Sequence, residues 1–210
     1  LSNHLNINSI DCVIDQIHSN QIVLGSKTQR SERVKADGIL SDKYNQNLWI
    51  YTADCMPILF ADKRKRFVAA IHCGRRGLEN KIIKNLIKIL VKKGCSTEDI
   101  LVAVGPSISK KNYLIDSKTL KNFYTHTTKK EAITLLKDKE IFSTLKKFLE
   151  RQKIISLNLK KYAHIQLLNE NILNTNINIS NLCTYDSNHD FYSWRRSKTI
   201  LRQWNYISPS

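Results

Sequence analysis

The stretch from Thr52 to Gly77, reading TADCMPILFADKRKRFVAAIHCGRRG, constrains the fold more than any other part of the chain. Two apolar runs, PILFA (57–61) and RFVAAI (66–71), are short, rich in β-branched and aromatic residues, and joined through the charged DKRKR. That pattern predicts adjacent buried strands connected by a tight turn. An earlier run, LWIYTA (48–53), leads into Asp54-Cys55, and the last run delivers His72. Gly74 and Gly77 then open a helix. A thiol, an imidazole and a helix start carrying two arginines are therefore expected to converge.

The remaining patterns place secondary structure around this centre. DCVID and QIVLG within 11–24 read as a hairpin with His18-Ser19-Asn20 at its turn. VKADGILSD (34–42) reads as a short strand entering a turn, with Asp37 before Gly38. By itself an Asp-Gly pair is ordinary turn chemistry. Leu78, Ile82, Leu86 and Leu90 predict one helix over 78–93, closed by Gly94. A buried strand within 98–108 follows, so strand, helix and strand suggest a crossover unit. Residues 116–153 are lysine-rich and helical in pattern. LNLKKYAHIQLLNENIL (157–173) reads as an amphipathic helix that makes His164 structural. INISNLC (177–183), FYSWRRS (191–197) and TILRQWNYI (199–207) read as strands. Arg195 and Arg196 follow an aromatic run. They either clamp an anion or form a solvated strand end.

The net charge of +16 invites a nucleic-acid reading. However, the lysines are scattered along the whole chain, with neither zinc-finger spacing nor an RNP-like aromatic motif. The expected partners therefore exclude nucleic acid. No run of about 18 apolar residues occurs, so no membrane association is expected. The opening LSNHLNINSI lacks the blocks of a signal peptide. Five cysteines, an odd number without a CxxC pair, predict reduced thiols in a cytoplasmic protein.

ADG (36–38), TADCMPILF (52–60), HCGRRG (72–77), GPSI (105–108), FYSWRR (191–196) and QIH (16–18) together resemble one family in the same order. It is the family long labelled multicopper polyphenol oxidase or laccase-like, whose members are now read as zinc-dependent purine nucleoside phosphorylases. The resemblance runs from about Gln16 to Ile207. It implies that His18, Cys55 and His72 bind one zinc ion. Zinc favours imidazole and thiolate, and three protein ligands with a fourth position open is the catalytic arrangement. The intervals between the three are too long for a finger-type site. Cys73 is expected on the opposite strand face. The copper label fits the chain poorly, because its six histidines include no His-x-His pair.

The resemblance also implies the substrates: phosphate together with adenosine, inosine, guanosine or methylthioadenosine, with adenosine deamination as a further activity. Under it, Asp54 and Cys55 belong to the catalytic centre, Asp54 as proton acceptor or as support for the metal. Arg76 at the helix start binds phosphate. Arg195 and Arg196 complete that anion site, and Asp37 accepts from ribose or base. The implied fold is a single mixed α/β (α+β) domain over 1–210, with β-sheet layers flanked by helices and similarity to cysteine-hydrolase-like toxins. A monomer is expected.

Three departures stand out. Arg75 occupies a position where the family usually has Trp. Ser109-Lys110 and Tyr113-Leu114-Ile115 replace Gly-Pro and Tyr-Glu-Val. A Ser-x-Arg-x-Gly-Gly segment usually precedes the first zinc histidine and is absent here, so the N-terminal part of the family pattern is expected to be missing. Two alternatives remain: a zinc hydrolase or amidase acting on peptidoglycan precursors, and a non-catalytic protein keeping the zinc site as a relic.

Overall fold

Period-two alternation on the central strands sets the layering. The computed structural model describes residues 9–28, 33–64, 66–125, 137–150, 154–186 and 190–209. Along β6 (Val68–Cys73), Ala69, Ile71 and Cys73 face one core, whereas Val68 and Ala70 face another. β5 (Met56–Asp62) alternates likewise, Met56, Ile58 and Phe60 against Leu59 and Ala61. Successive side chains of a strand leave on opposite faces, so each strand serves two cores.

β5 and β6 pair antiparallel, from Met56 opposite Cys73 to Ala61 opposite Val68, as their apolar runs predict. They lie in the middle of a six-stranded sheet ordered β10-β7-β5-β6-β3-β2. Its other members are β2 (Ile22–Leu24), β3 (Gly38–Leu40), β7 (Ile100–Val104) and β10 (Ile177–Ile179). β6 and β7 both run antiparallel to β5 and flank it. The helices between them therefore make the expected crossover, passing over one intervening strand. A smaller sheet, ordered β1-β4-β11, joins β1 (Ile10–Val13), β4 (Gln46–Thr52) and β11 (Gln203–Ile207). β8 (Leu114–Asp116) and β9 (Ile154–Ser156) form a two-stranded ribbon.

Six helices occur among the described residues: α1 (Arg75–Glu79), α2 (Ile82–Lys92), α3 (Ser117–Thr125), α4 (Lys139–Leu149), α5 (Leu159–Asn169) and α6 (Trp194–Ser197). Leu86 and Leu90 of α2, Phe123 of α3 and Tyr162 of α5 pack on one face of the large sheet. Leu48 and Ile50 of β4 and Cys12 of β1 cover Ile39, Val68 and Ala70 on its other face. The protein is thus a mixed α/β domain in layers: small sheet, large sheet, helices. Burying each large aliphatic side chain contributes about 1.5–3 kcal/mol, so a truncation such as Leu86→Ala costs about 2–5 kcal/mol. No helix of the described residues is long and apolar enough to cross a membrane.

Three sequence expectations are corrected. The 11–24 segment is not a hairpin, because β1 pairs with β4 and β2 pairs with β3, in different sheets. The helix over 78–93 is two helices. Lys81 adopts a left-handed conformation (φ 60°), turning α2 so that Ile82, Ile83 and Leu86 meet the sheet. The carbonyl of Asn80 at this break accepts from Asn20 Nδ2 (2.7 Å), and Asn85 Nδ2 donates to the carbonyl of Asn20 (3.3 Å). Finally, 191–197 is not a strand. It closes in α6, capped by Ser193 Oγ, which accepts from the Arg196 N–H. Of the helical stretch expected over 116–153, residues 126–136 and 151–153 lie outside the described residues.

Candidate metal centre

Three separate segments meet at the C-terminal end of β6. His72 stands at the penultimate position of that strand, opposite Pro57. Its neighbour Cys73 points into the helix-side core, as alternation predicts. Cys55 ends the link between β4 and β5, after Asp54, whose φ of 91° lies in a region L-residues seldom occupy. His18 reaches in from the turn between β1 and β2 and also takes a positive φ (60°). One potential ligand atom from each of His18, Cys55 and His72 lies within 4.8 Å of the others. The two imidazole rings meet edge to face, with centroids 4.8 Å apart.

The surroundings fit a metal. Asp37 Oδ1 lies 2.8 Å from His72 Nδ1, which leaves Nε2 for the centre. A Cβ on Gly74 would stand only 2.5 Å from Cys55 Sγ, so the thiol requires glycine there. Burial pushes the Cys55 thiol up, but His72 and His18 outweigh it and hold the thiol down to about 6. Burial likewise disfavours charged His72, yet Cys55 and Asp37 raise it to about 9. These shifts favour the Cys55 thiolate, the form that ligates, and a metal at the centre would take the place of the proton on His72 Nε2. Two nitrogens and one sulfur make a mixed donor set of the kind that suits zinc.

The centre forms the floor of a cavity of about 640 Å³. Asp54, Arg75, Arg76 and Arg195 line it. The Arg76 side chain is exposed and has no hydrogen-bond or ion-pair partner among the described residues. Arg75 is tied to Glu79. The Arg195 guanidinium lies over the Tyr113 ring (5.1 Å) and donates to the Leu114 carbonyl (2.9 Å).

Two expected substrate contacts are not made from this wall. Asp37 is fully buried, and its carboxylate accepts from the backbone N–H groups of Ile17, His18 and Ser19 as well as from His72. Burial pushes the Asp37 carboxyl up, but the donors from His72 and Ser19 outweigh it and hold the carboxyl below its ordinary range. The Arg196 guanidinium turns away and donates to the carbonyls of Thr184, Tyr185 and Phe191. Asp54 is also engaged: Oδ1 accepts from Thr184 Oγ1 (2.8 Å) and Oδ2 from the Arg195 N–H (2.7 Å). The arginine expected at the start of a long helix belongs instead to the five-residue α1.

Sequence reasoning missed Tyr51, Tyr113, Trp194 and Arg202 on the cavity wall. Tyr51 and Trp194 sit in runs that read as plain strands. Gln16 carried a signal, as the first residue of QIH. Its side chain pairs both ways with the Tyr51 backbone (2.7 and 2.9 Å).

Residues 1–209 match the family model described as multi-copper polyphenol oxidoreductase laccase. The chain belongs to that family. A purine nucleoside phosphorylase of Clostridium acetobutylicum is 30% identical over 197 residues, covering 92% of this chain and 75% of the relative. A purine nucleoside phosphorylase of Synechocystis is 28% identical over 182 residues, 82% of this chain and 67% of the relative. One of Rickettsia prowazekii is 30% identical over 144 residues, 66% of this chain and only 57% of the relative. Among solved structures, a Neisseria meningitidis protein of the DUF152 family superposes with a TM-score of 0.79 at 23% identity, over 97% of this chain and 76% of that one. YlmD from Geobacillus stearothermophilus gives 0.79 at 23% identity, over 95% and 73%. These likenesses establish the fold.

Proposed function

We propose that the chain is a zinc-dependent purine nucleoside phosphorylase, cleaving adenosine, inosine, guanosine or methylthioadenosine with phosphate, and deaminating adenosine as a further activity. The observation that carries this reading is the meeting, in one cavity, of a His–Cys–His cluster and an unpartnered arginine, Arg76. The names of the relatives support the same chemistry.

His18, Cys55 and His72 would hold the zinc, which supplies Lewis acidity to an oxygen beside it. Arg76 binds phosphate through the paired N–H groups of its guanidinium, a planar fork matched to two phosphate oxygens. Arg195, held over Tyr113, adds a second positive group to the same wall. Tyr51 and Trp194 offer aromatic surface to the base. Asp54 positions the Arg195 backbone and with it α6, since both of its oxygens are already engaged. The matched part of the chain spans 57–75% of the length of these relatives. The reading includes a cytoplasmic monomer, which its free cysteines suit.

The test is incubation of the zinc-loaded protein with adenosine and phosphate, followed by separation of products. Adenine with ribose 1-phosphate supports the proposal. Inosine alone indicates a deaminase. No turnover sinks the enzymatic reading and leaves a zinc-binding protein.

A further inference from the structure

We infer that Asp37 is a positioning residue that locks both histidines of the metal centre into one geometry and thereby sets its affinity for a divalent ion. The inference rests on the metal part of the reading above.

Asp37 is 0% exposed, so its carboxylate has left water altogether. An unpaired buried carboxylate costs several kcal/mol, roughly, and five donors offset that cost here. The N–H groups of Ile17 (3.3 Å), His18 (3.0 Å) and Ser19 (2.5 Å) all point at it. Ser19 Oγ donates at 2.7 Å. His72 Nδ1 completes the set at 2.8 Å. Three successive backbone N–H groups converging on one anion form a nest. That nest is the turn whose middle residue is the candidate ligand His18, at φ 60°. The carboxylate therefore stabilises a backbone conformation that a histidine seldom adopts unaided.

The same residue reaches the other histidine twice. Its carbonyl accepts from the His72 N–H (2.8 Å), and its carboxylate faces Nδ1 of the ring. With the proton on Nδ1, the Nε2 lone pair faces Cys55 and His18, the tautomer a metal requires. Its own N–H donates to the Gln21 carbonyl (3.1 Å), so the backbone is fixed on the far side of the His18 turn as well. Gly38 follows in β3 with no room for a side chain, because a Cβ there would meet Ile22 Cδ1 at 2.3 Å. Asp37 is thus tied through both its backbone and its carboxylate, and an anion held in this way fixes the spacing between two ligands that are far apart in sequence. It also adds a second negative charge to that of Cys55, which together balance a divalent cation.

Asparagine has nearly the same shape but only one oxygen, and its amide would present N–H groups to some of these donors. Zinc dissociation constants measured by chelator competition should rise about 10- to 100-fold in Asp37→Asn, the range for residues that orient metal ligands. Ser19→Ala, which removes only the hydroxyl donor, should raise the constant a few-fold. In a His18→Ala background the Asp37→Asn effect should shrink, since one of its two targets is gone. The cobalt-substituted visible spectrum of Asp37→Asn should differ from that of the unsubstituted protein. If Asp37→Asn does not fold, Ser19→Ala decides the question. Unchanged zinc affinity in these variants, or an undiminished Asp37→Asn effect without His18, overturns the inference while leaving a zinc-binding parent protein intact. A parent protein that binds no zinc overturns both readings.

Discussion

Gly74 leaves open the space that Cys55 Sγ fills, since a Cβ on Gly74 would lie 2.5 Å from that sulfur. The φ of Gly74 is −92°, open to any residue, so the requirement is one of volume and not of backbone freedom. Gly74→Ala must therefore displace the thiol. The expected result is zinc affinity weakened by about 10-fold or more, as for other disturbances of ligand orientation. Chelator competition checks it, and unchanged affinity would show that the cysteine is not a ligand in its present position.

Arg76 has no partner among the described residues to compete with an incoming anion. Arg76→Ala should cost about 2–3 kcal/mol in phosphorolysis, the range for a charged hydrogen-bond partner, which is roughly 30- to 150-fold in rate. Arg76→Lys should recover only part, because an ammonium keeps the charge without the fork. Zinc content should not change, and deamination, which uses water, should suffer less. Equal loss of both activities would reject the phosphate role.

Removing the metal should expose a reactive thiol. Burial opposes the Cys55 thiolate, yet the two histidines bring it down to about 6. The folded value lies below the ordinary one, so the thiolate persists above about pH 6 and is lost as pH falls through it. After chelation, alkylation by iodoacetamide should rise with half-maximal rate near pH 6, and added zinc should suppress it. Burial pushes buried Cys73 well above the ordinary thiol range, so it should stay unmodified. Mass spectrometry of the labelled peptides decides which thiol reacts.

Arg196 is bonded to three carbonyls and does not line the cavity. Arg196→Ala should destabilise the fold by about 2 kcal/mol, the order expected for hydrogen bonds from a charged group. Activity per folded molecule should fall far less than in Arg76→Ala. A large drop in kcat at unchanged Tm would restore Arg196 to the substrate wall.

The centre was legible where its signal was local. The β5–β6 pair follows from two short apolar runs, PILFA and RFVAAI, joined through charged DKRKR, and the period of two along a strand separates His72 from Cys73. His18, Cys55 and His72 stood out by residue type once the motifs had aligned. The pairing of β1 and β2 into different sheets was hidden, because partner choice depends on residues far along the chain. Lys81 gives no signal of a left-handed turn, so the break between α1 and α2 was invisible. FYSWRRS carries strand-like aromatics, but Ser193 caps a helical turn there. Thr184, 130 residues from its partner Asp54, belongs to no motif at all.

The alternation on β6 has a consequence for how the gene can vary. Residues can be gained or lost between β5 and β6 while the strands keep their pairing. One residue added or deleted within 68–71 would instead exchange the faces of everything after it. Cys73 would then be presented to the cavity and His72 to the apolar core, where an imidazole finds no carboxylate. Length variation among natural or engineered variants should therefore be tolerated up to the start of this strand and excluded along it.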